Sequence, residues 1–234
     1  MSTNSKQVVD FYDDYTTRQK KIGVNSRHRT IIKKLKQAGL QPNSKVLEIG
    51  CGIGTASGLV ANFVSNGLLV GVDISSKSIE IAKHTFASRN NVEFLVSDMS
   101  SFTYKTKFDF VLMPDVIEHI PIEQHLNLFK VIRENTHENS VVAINLPNPY
   151  MLEWVRKYKP EQMQIIDQSI YTDLLVQNIY PNGFYIHSLE SYSLTTVESD
   201  YQWIILKPRK VLENVHYKSN IDKALLSAKL RLKL

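Results

Sequence analysis

Glu48 lies in a short apolar run, Val46-Leu47-Glu48-Ile49, and is followed by glycines at two-residue spacing, Gly50, Gly52 and Gly54, with Cys51 and Ile53 between them and Thr55 after. Glycine lets backbone come within contact distance of a ligand and takes up positive φ without strain. A strand, a loop without bulky side chains and a helix start, in that order, form the turn where open α/β sheets hold nucleotide-like cofactors. The spacing narrows the choice. A dinucleotide fingerprint, Gly-x-Gly-x-x-Gly, sets a pyrophosphate on a helix N-terminus. Here the pattern is Gly-x-Gly-x-Gly, and the upstream carboxylate repels pyrophosphate but suits a cationic group. The dinucleotide reading stays open as the alternative.

Two further apolar runs end in acids. Leu68 to Val72 leads to Asp73 and Ile74, and Val92 to Val96 leads to Ser97, Asp98 and Met99. A carboxylate at a strand end can accept both hydroxyls of a ribose, which fits Asp73, and Ile74 would pack on a base. A fourth run, Phe108 to Met113, continues through Pro114, Asp115 and Val116 to Ile117-Glu118-His119. Histidine titrates near neutrality, with an ordinary pKa of about 6.5, so His119 is the first candidate for a general base. Cys51, the one cysteine, reads as a small filler of the glycine loop, because no helper base stands beside it in sequence.

The segment from Val46 to Thr55 closely resembles the glycine-rich first motif of class I S-adenosylmethionine-dependent methyltransferases, and the runs ending at Asp73, Asp98 and His119 resemble that family's later motifs in the right order. The resemblance covers residues of about 44 to 207 and is specific for the cofactor half. It implies S-adenosylmethionine as cofactor. The loop Gly50, Cys51, Gly52, Gly54 and Thr55 would pack on its methionine part, with Glu48 near the ammonium group. Asp98 would bond the adenine amino group, and the backbone of Met99 would read a ring nitrogen. Pro114, Asp115, Val116 and His119 would stand beside the methyl. His119 then has two readings, base or loop-fixing residue, with Glu118 and Asp115 as alternative catalytic groups.

Methyl transfer to an oxygen, or second a nitrogen, of a small metabolite is the function this resemblance implies. Two alternatives stay open: a sugar, glycan or lipid-linked acceptor, and a cofactor-binding protein that transfers no methyl. The Asp-Asn pair of metal-dependent relatives is absent, so no metal is expected. The Pro-Pro-aromatic motif of amino-directed nucleic-acid enzymes is also absent after the fourth strand, where Met113-Pro114-Asp115-Val116 stands instead. A nucleic-acid partner is not expected.

The elements that must hold these groups follow from the hydrophobic pattern. Strands are predicted at 45–49, 68–73, 92–96, 108–113 and 140–145, with helices at about 55–65, 76–89 and 121–134 between them. Such alternation argues for a doubly wound, mostly parallel α/β sheet. Residues 184–193 and 200–206 add a hairpin, which makes seven strands, in the order 3-2-1-4-5-7-6 if the resemblance holds. Residues 1–42 read as a helical arm, with Tyr12 and Tyr15 on an aromatic stripe, either packed on the core or folded over the cofactor as a lid. The stretch at about 147–168, after strand five, reads as an inserted cap, and its Tyr150 and Trp154 join Tyr15 as candidate acceptor contacts. A helix at about 169–179 follows. His28, His125 and His187 read as surface or strand residues.

The 234 residues suit one α/β domain, spanning 43–207, with additions at each end. The single cysteine and a polar start without an apolar core point to a cytoplasmic setting. The net charge of +5 is modest for a nucleic-acid binder and gathers near the start and at the end. The basic tail, 208–234, is loosely amphipathic. It has three open fates: docking on its own domain, joining a homodimer, or lying on a membrane surface.

Overall fold

The computed structural model of the protein describes residues 5–211 and 213–231, with the side chains of 5, 6, 14, 15, 17, 18, 230 and 231 excepted. Two helices, α1 (Ser5–Ile22) and α2 (Ser26–Gln37), precede β1 (Lys45–Ile49), α3 (Thr55–Phe63), β2 (Leu68–Asp73), α4 (Ser76–Thr85) and β3 (Val92–Val96). Then come β4 (Phe108–Pro114), α5 (His125–Glu134), β5 (Thr136–Pro147), α6 (Pro149–Tyr158), α7 (Thr172–Ile179), β6 (Phe184–Tyr192), β7 (Tyr201–Pro208) and α8 (Asn220–Arg231). The seven strands form one sheet in the order β3-β2-β1-β4-β5-β7-β6, as expected. Only β7 runs against its neighbours, β5 and β6, because a hairpin delivers it.

Alternation along the central strands fills both faces. Leu47, Val70, Val111 and Val142 point to the side covered by α5 and α7, where Phe129, Ile132, Leu175 and Ile179 meet them. Val46, Leu69, Phe110 and Ala143 point to the other side, against Ile31 and Leu35 of α2 and Val60 and Ala61 of α3. Ile31 and Leu35 are one helical turn apart, which is why α2 lies flat on the sheet. Parallel register then brings the strand ends together. Glu48 lies beside Gly71 and Leu112, and Asp73 beside Val96, so the acids gather along the carboxyl edge.

Several local expectations shift. The N-terminal arm is two helices, broken where Gly23 takes φ 61°. Asn25 then caps α2: its side chain accepts from the amides of Arg27 and His28, and His28 Nδ1 accepts from the Asn25 amide. This exchange buries His28, expected at the surface, and burial, with Arg27 adding to it, lowers its pKa to about 4. His125 is also buried, its Nε2 facing the carbonyls of Ile117 and Ile120, and so fixes the turn after β4. The helix expected from residue 121 opens with a 3-10 turn over Ile122–Gln124 before α5 begins. Strand β5 starts four residues earlier than its pattern suggests, because polar residues 137–139 extend it beyond the apolar run.

Candidate active site

The cofactor end of the edge is built from short-range backbone bonds. After β1 the chain folds back on β2, and the amides of Gly50 and Cys51 both donate to the Val72 carbonyl, at 2.8 and 3.0 Å. Gly50 has φ +71°, and a Cβ there would lie 2.3 Å from Val116 Cγ2. Both conformation and space therefore require glycine. Asp73 holds this loop from the next strand: Oδ2 accepts from the Gly52 amide at 2.8 Å and Oδ1 from the Ser75 amide at 2.9 Å. Burial raises the Asp73 pKa, and these two amides oppose the rise. Each oxygen keeps a second lone pair, the acceptor capacity a pair of ribose hydroxyls needs.

Glu48 is fully buried at the floor of the loop. The Ser57 hydroxyl donates to its Oε2 at 2.6 Å, while Oε1 has no hydrogen-bond partner among the described residues. Burial pushes its pKa up to about 7 despite the Ser57 bond. An unpartnered buried carboxylate oxygen is costly by itself and is satisfied by an ammonium group. This open acceptor therefore fits the cationic methionine end of S-adenosylmethionine. Cys51 is buried beside it, and burial first, then the Asp73 and Glu48 carboxylates, push the thiol pKa up. A thiol held protonated fills space and attacks nothing. Along β3, Asp98 stands exposed at the edge, its Oδ1 accepting from the Ser100 amide at 2.9 Å, which holds its pKa down.

The other end is assembled from distant segments. Asp115 follows β4 with φ 54°, a left-handed conformation unusual for a residue with a side chain. Its amide donates to the Asn145 carbonyl at 2.7 Å, and its Oδ1 accepts from the Asn145 side chain at 3.2 Å. Arg27 Nη1 of α2 reaches Asp115 Oδ2 at 2.8 Å. The Tyr192 hydroxyl donates to Asn145 Oδ1 at 2.5 Å. Strand β5 and helix α2 thus meet the Asp115 carboxylate directly, and β6 reaches it through Asn145.

His119 lies one step further, between acids. Its Nδ1 sits 2.6 Å from the Ile166 carbonyl and 3.2 Å from Asp167 Oδ1, and its Nε2 lies 3.8 Å from Glu118 Oε1. Burial lowers its pKa, but Glu118, Asp167 and the Ile166 carbonyl outweigh that and raise it to about 9. Glu118 is 1% exposed, with neither carboxylate oxygen hydrogen-bonded among the described residues, and burial raises its pKa too. Wherever the shared proton rests, this pair keeps it to higher pH than a free histidine would. The Gln168 amide groups bond the carbonyls of Glu118 and Ile120, which stitches the 164–168 segment onto the turn after β4.

A cavity of about 340 Å³ joins the two ends. Of the residues singled out in the sequence, Glu48, Gly50, Cys51 and Thr55 line it from the loop, Asp73, Ile74, Asp98 and Met99 from β2 and β3, and Pro114, Asp115, Val116 and His119 from β4. Gly52 and Gly54 shape the loop without facing the cavity. Tyr150 and Trp154, expected as acceptor contacts, do not line it but stand outward on α6, at 73% and 45% exposure. One turn apart, opposite buried Leu152, they point away from the sheet. The Tyr15 side chain lies outside the described residues. The cap does reach the cavity, but through Gln164 and Ile166 in its irregular stretch. Tyr12 and Gln19 of α1 and Arg27 and His28 of α2 also line it. The cluster Arg27-x-x-x-Ile31 could have drawn attention through its cation beside an apolar helix face, whereas nothing local marks Gln164.

Comparison with known proteins agrees with this geometry. A methyltransferase domain family matches residues 46–139. Phosphoethanolamine N-methyltransferase of Triticum aestivum is 37% identical over 84 residues, 35% of this chain and 16% of that protein. Malonyl-[acyl-carrier protein] O-methyltransferase 2 of Ilyobacter polytropus is 33% identical over 66 residues, covering 28% and 26% of the two chains. The chain spans 28% and 65% of the lengths of two further curated relatives, less than two thirds in each case. Magnesium protoporphyrin IX methyltransferase from Synechocystis, crystallised with S-adenosylhomocysteine, shares the fold with a TM-score of 0.67 and 20% identity, over 89% of this chain and all of that one. The methyltransferase in a Haloferax volcanii complex with the activator Trm112 gives a TM-score of 0.70 at 14% identity, over 90% and 100% of the chains. With its seven-strand order and its acids at successive strand tips, the chain has the fold of the class I, Rossmann-like S-adenosylmethionine-dependent methyltransferases, and its residues 46–139 match a methyltransferase domain family.

Proposed function

We propose that the protein transfers a methyl group to an oxygen, or a nitrogen, of a small metabolite. The observation that carries this reading is the wall of the cavity: α1, α2 and the 164–168 segment border a space of about 340 Å³ that cofactor and acceptor must share, which leaves room for a small acceptor. S-adenosylmethionine would be held by Glu48 at its ammonium, Asp73 at its ribose and Asp98 with Met99 at its base. When bound it supplies a sulfonium methyl, the electrophile of the reaction. Helix α1 acts as a lid. Its Asp13 accepts a hydrogen bond from the Ser75 hydroxyl, at the N-cap of α4, and its Tyr12 and Gln19 face inward. Shutting out water and aligning the acceptor are what the surrounding residues contribute.

His119 is better suited to orient than to deprotonate. An imidazole whose pKa is raised to about 9 carries its proton near neutrality and donates. Arg27 beside it is likewise held by an acid, Asp115, so neither cation stands free to take a proton from the acceptor. This supports an acceptor atom that arrives without a proton to lose, such as a carboxylate or phenolate oxygen or a neutral amine. Calorimetric titration with S-adenosylhomocysteine tests the cofactor half, and binding is expected. Mass spectrometry of a metabolite extract incubated with protein and methyl-labelled cofactor tests the rest. A labelled small product is expected. Labelled protein or nucleic acid with no small product would overturn the acceptor class.

A further inference from the structure

Residues 207–234 hold eight Lys and Arg against two Asp and Glu, so this segment alone exceeds the +5 net charge of the whole chain. The remainder is close to neutral. Every described residue from Arg209 to Lys229 is exposed. That includes helix α8, whose Ile221, Ala224, Leu225 and Ala228 fall at the i, i+3, i+4, i+7 spacing of one apolar face. Ile221 is 73% and Leu225 62% exposed, and Val211, Val215 and Tyr217 before them are as open. A helix of about 12 residues is marginal in water without a surface to bury its apolar side.

We propose that this C-terminal segment docks the protein on an anionic lipid bilayer. Charge decides the occupant. A second copy of the tail would bring two strongly basic segments together, and the nearly neutral body offers no opposing field. An anionic surface supplies that field and an apolar layer at once. The aliphatic face of α8 enters the headgroup boundary while Lys223 and Lys229 reach out to the headgroups. Nucleic acid would satisfy the charge but leave Ile221 and Leu225 with nothing to bury against, since strand binding draws on stacked aromatic rings. This inference is independent of the acceptor's identity.

The test is flotation of the full chain with phosphatidylcholine vesicles, with and without a quarter phosphatidylglycerol. Binding is expected only with the anionic lipid. It should weaken at least tenfold when salt rises from about 0.1 M to about 1 M, which shortens the screening length from about 10 Å to about 3 Å. Lys223→Glu with Lys229→Glu, and separately Leu225→Asp, should each reduce partitioning about tenfold or more. Both variants should keep wild-type affinity for S-adenosylhomocysteine, which separates failure here from failure of the methyltransferase reading. All three residues are exposed, so the variants fold. Equal binding to neutral vesicles, no binding to either, a lipid-free dimer abolished by Leu225→Asp, or retention on duplex DNA with none on vesicles would each overturn the proposal.

Discussion

The two ends of the cavity are made differently. At the cofactor end, each carboxylate is held by groups close in sequence or on the adjacent strand: Asp73 by the Gly52 and Ser75 amides, Glu48 by Ser57, Asp98 by Ser100. At the acceptor end, Asp115 depends on Arg27 and Asn145, and His119 on Asp167 and Ile166, partners 30 to 88 residues away. The first end is a set of turns that the strand–loop–helix pattern dictates. The second exists only after tertiary folding has brought five segments together. A site of the first kind is fixed by its own turns, whereas one of the second kind can change without disturbing the first.

The strongest way to break this contrast is to remove Asp73. Asp73→Ala takes away both oxygens that hold the loop and should lower affinity for S-adenosylhomocysteine at least about 100-fold by calorimetry, since charged hydrogen bonds contribute about 1.5–3 kcal/mol each. A loss confined to tenfold would mean that the loop holds its shape without β2.

Arg27→Ala tests the other end. It leaves Asp115 largely buried without its cation, and Arg27 itself is 33% exposed, so solvent screens part of the loss. A stability decrease of about 1–3 kcal/mol by urea unfolding is expected. Turnover should fall by more than ten-fold, roughly, with cofactor affinity nearly unchanged, because the pair lies at the acceptor end. Equal losses at both ends would dissolve the distinction.

The acid–base behaviour of His119 sharpens it further. Its pKa in the folded protein, about 9, lies above the ordinary 6.5, so the folded state binds the extra proton. The resulting stabilisation is complete below about pH 6.5 and is lost as pH rises through about 9. Glu118, raised from its ordinary 4.5, acts in the same direction, since its proton too is held more tightly when folded. The thermal midpoint should fall between those limits, and His119→Gln should flatten the fall. Turnover should decline above about pH 9. A rise through pH 6.5 that disappears in His119→Gln would instead restore the general-base role.

How much of this was legible in the sequence follows from the same physics. Glu48, Asp73 and Asp98 each lie at or just past the end of a short apolar run, and the glycines announce a loop, so the sheet and its cofactor edge could be read locally. The seven-strand order came with the family resemblance. Arg27 is one of several cations on a basic helix, and only its place one turn before Ile31 sets it apart, whereas Gln164 and Ile166 lie in an irregular stretch where nothing nearby in sequence marks them. His28 was misplaced because its hydrogen bond to Asn25 is a capping interaction that hides an imidazole between two arginines. Tyr150 and Trp154 drew attention by residue type, but helical phase, which decides direction, turned them outward.

That last point gives the smallest predicted effect. Trp154 touches Tyr158, with ring centroids 5.5 Å apart, and the Lys159 ammonium lies 5.4 Å from its ring. None of these groups faces the cavity. Trp154→Ala therefore removes surface packing only, and stability should change by no more than about 0.5 kcal/mol, the usual span for exposed positions. Both kcat and KM should stay within about twofold of wild type. Gln164→Ala is the matched comparison from the same cap. It truncates a side chain that lines the cavity and whose Oε1 is buried without a hydrogen-bond partner among the described residues. A buried acceptor left open in this way is satisfied by a donor from the ligand, so its loss should raise the acceptor KM by about fivefold or more. If Trp154→Ala and Gln164→Ala impaired turnover alike, α6 would have to swing inward when the acceptor binds, and the division between outward helix and inward loop would belong to one conformation of the cap.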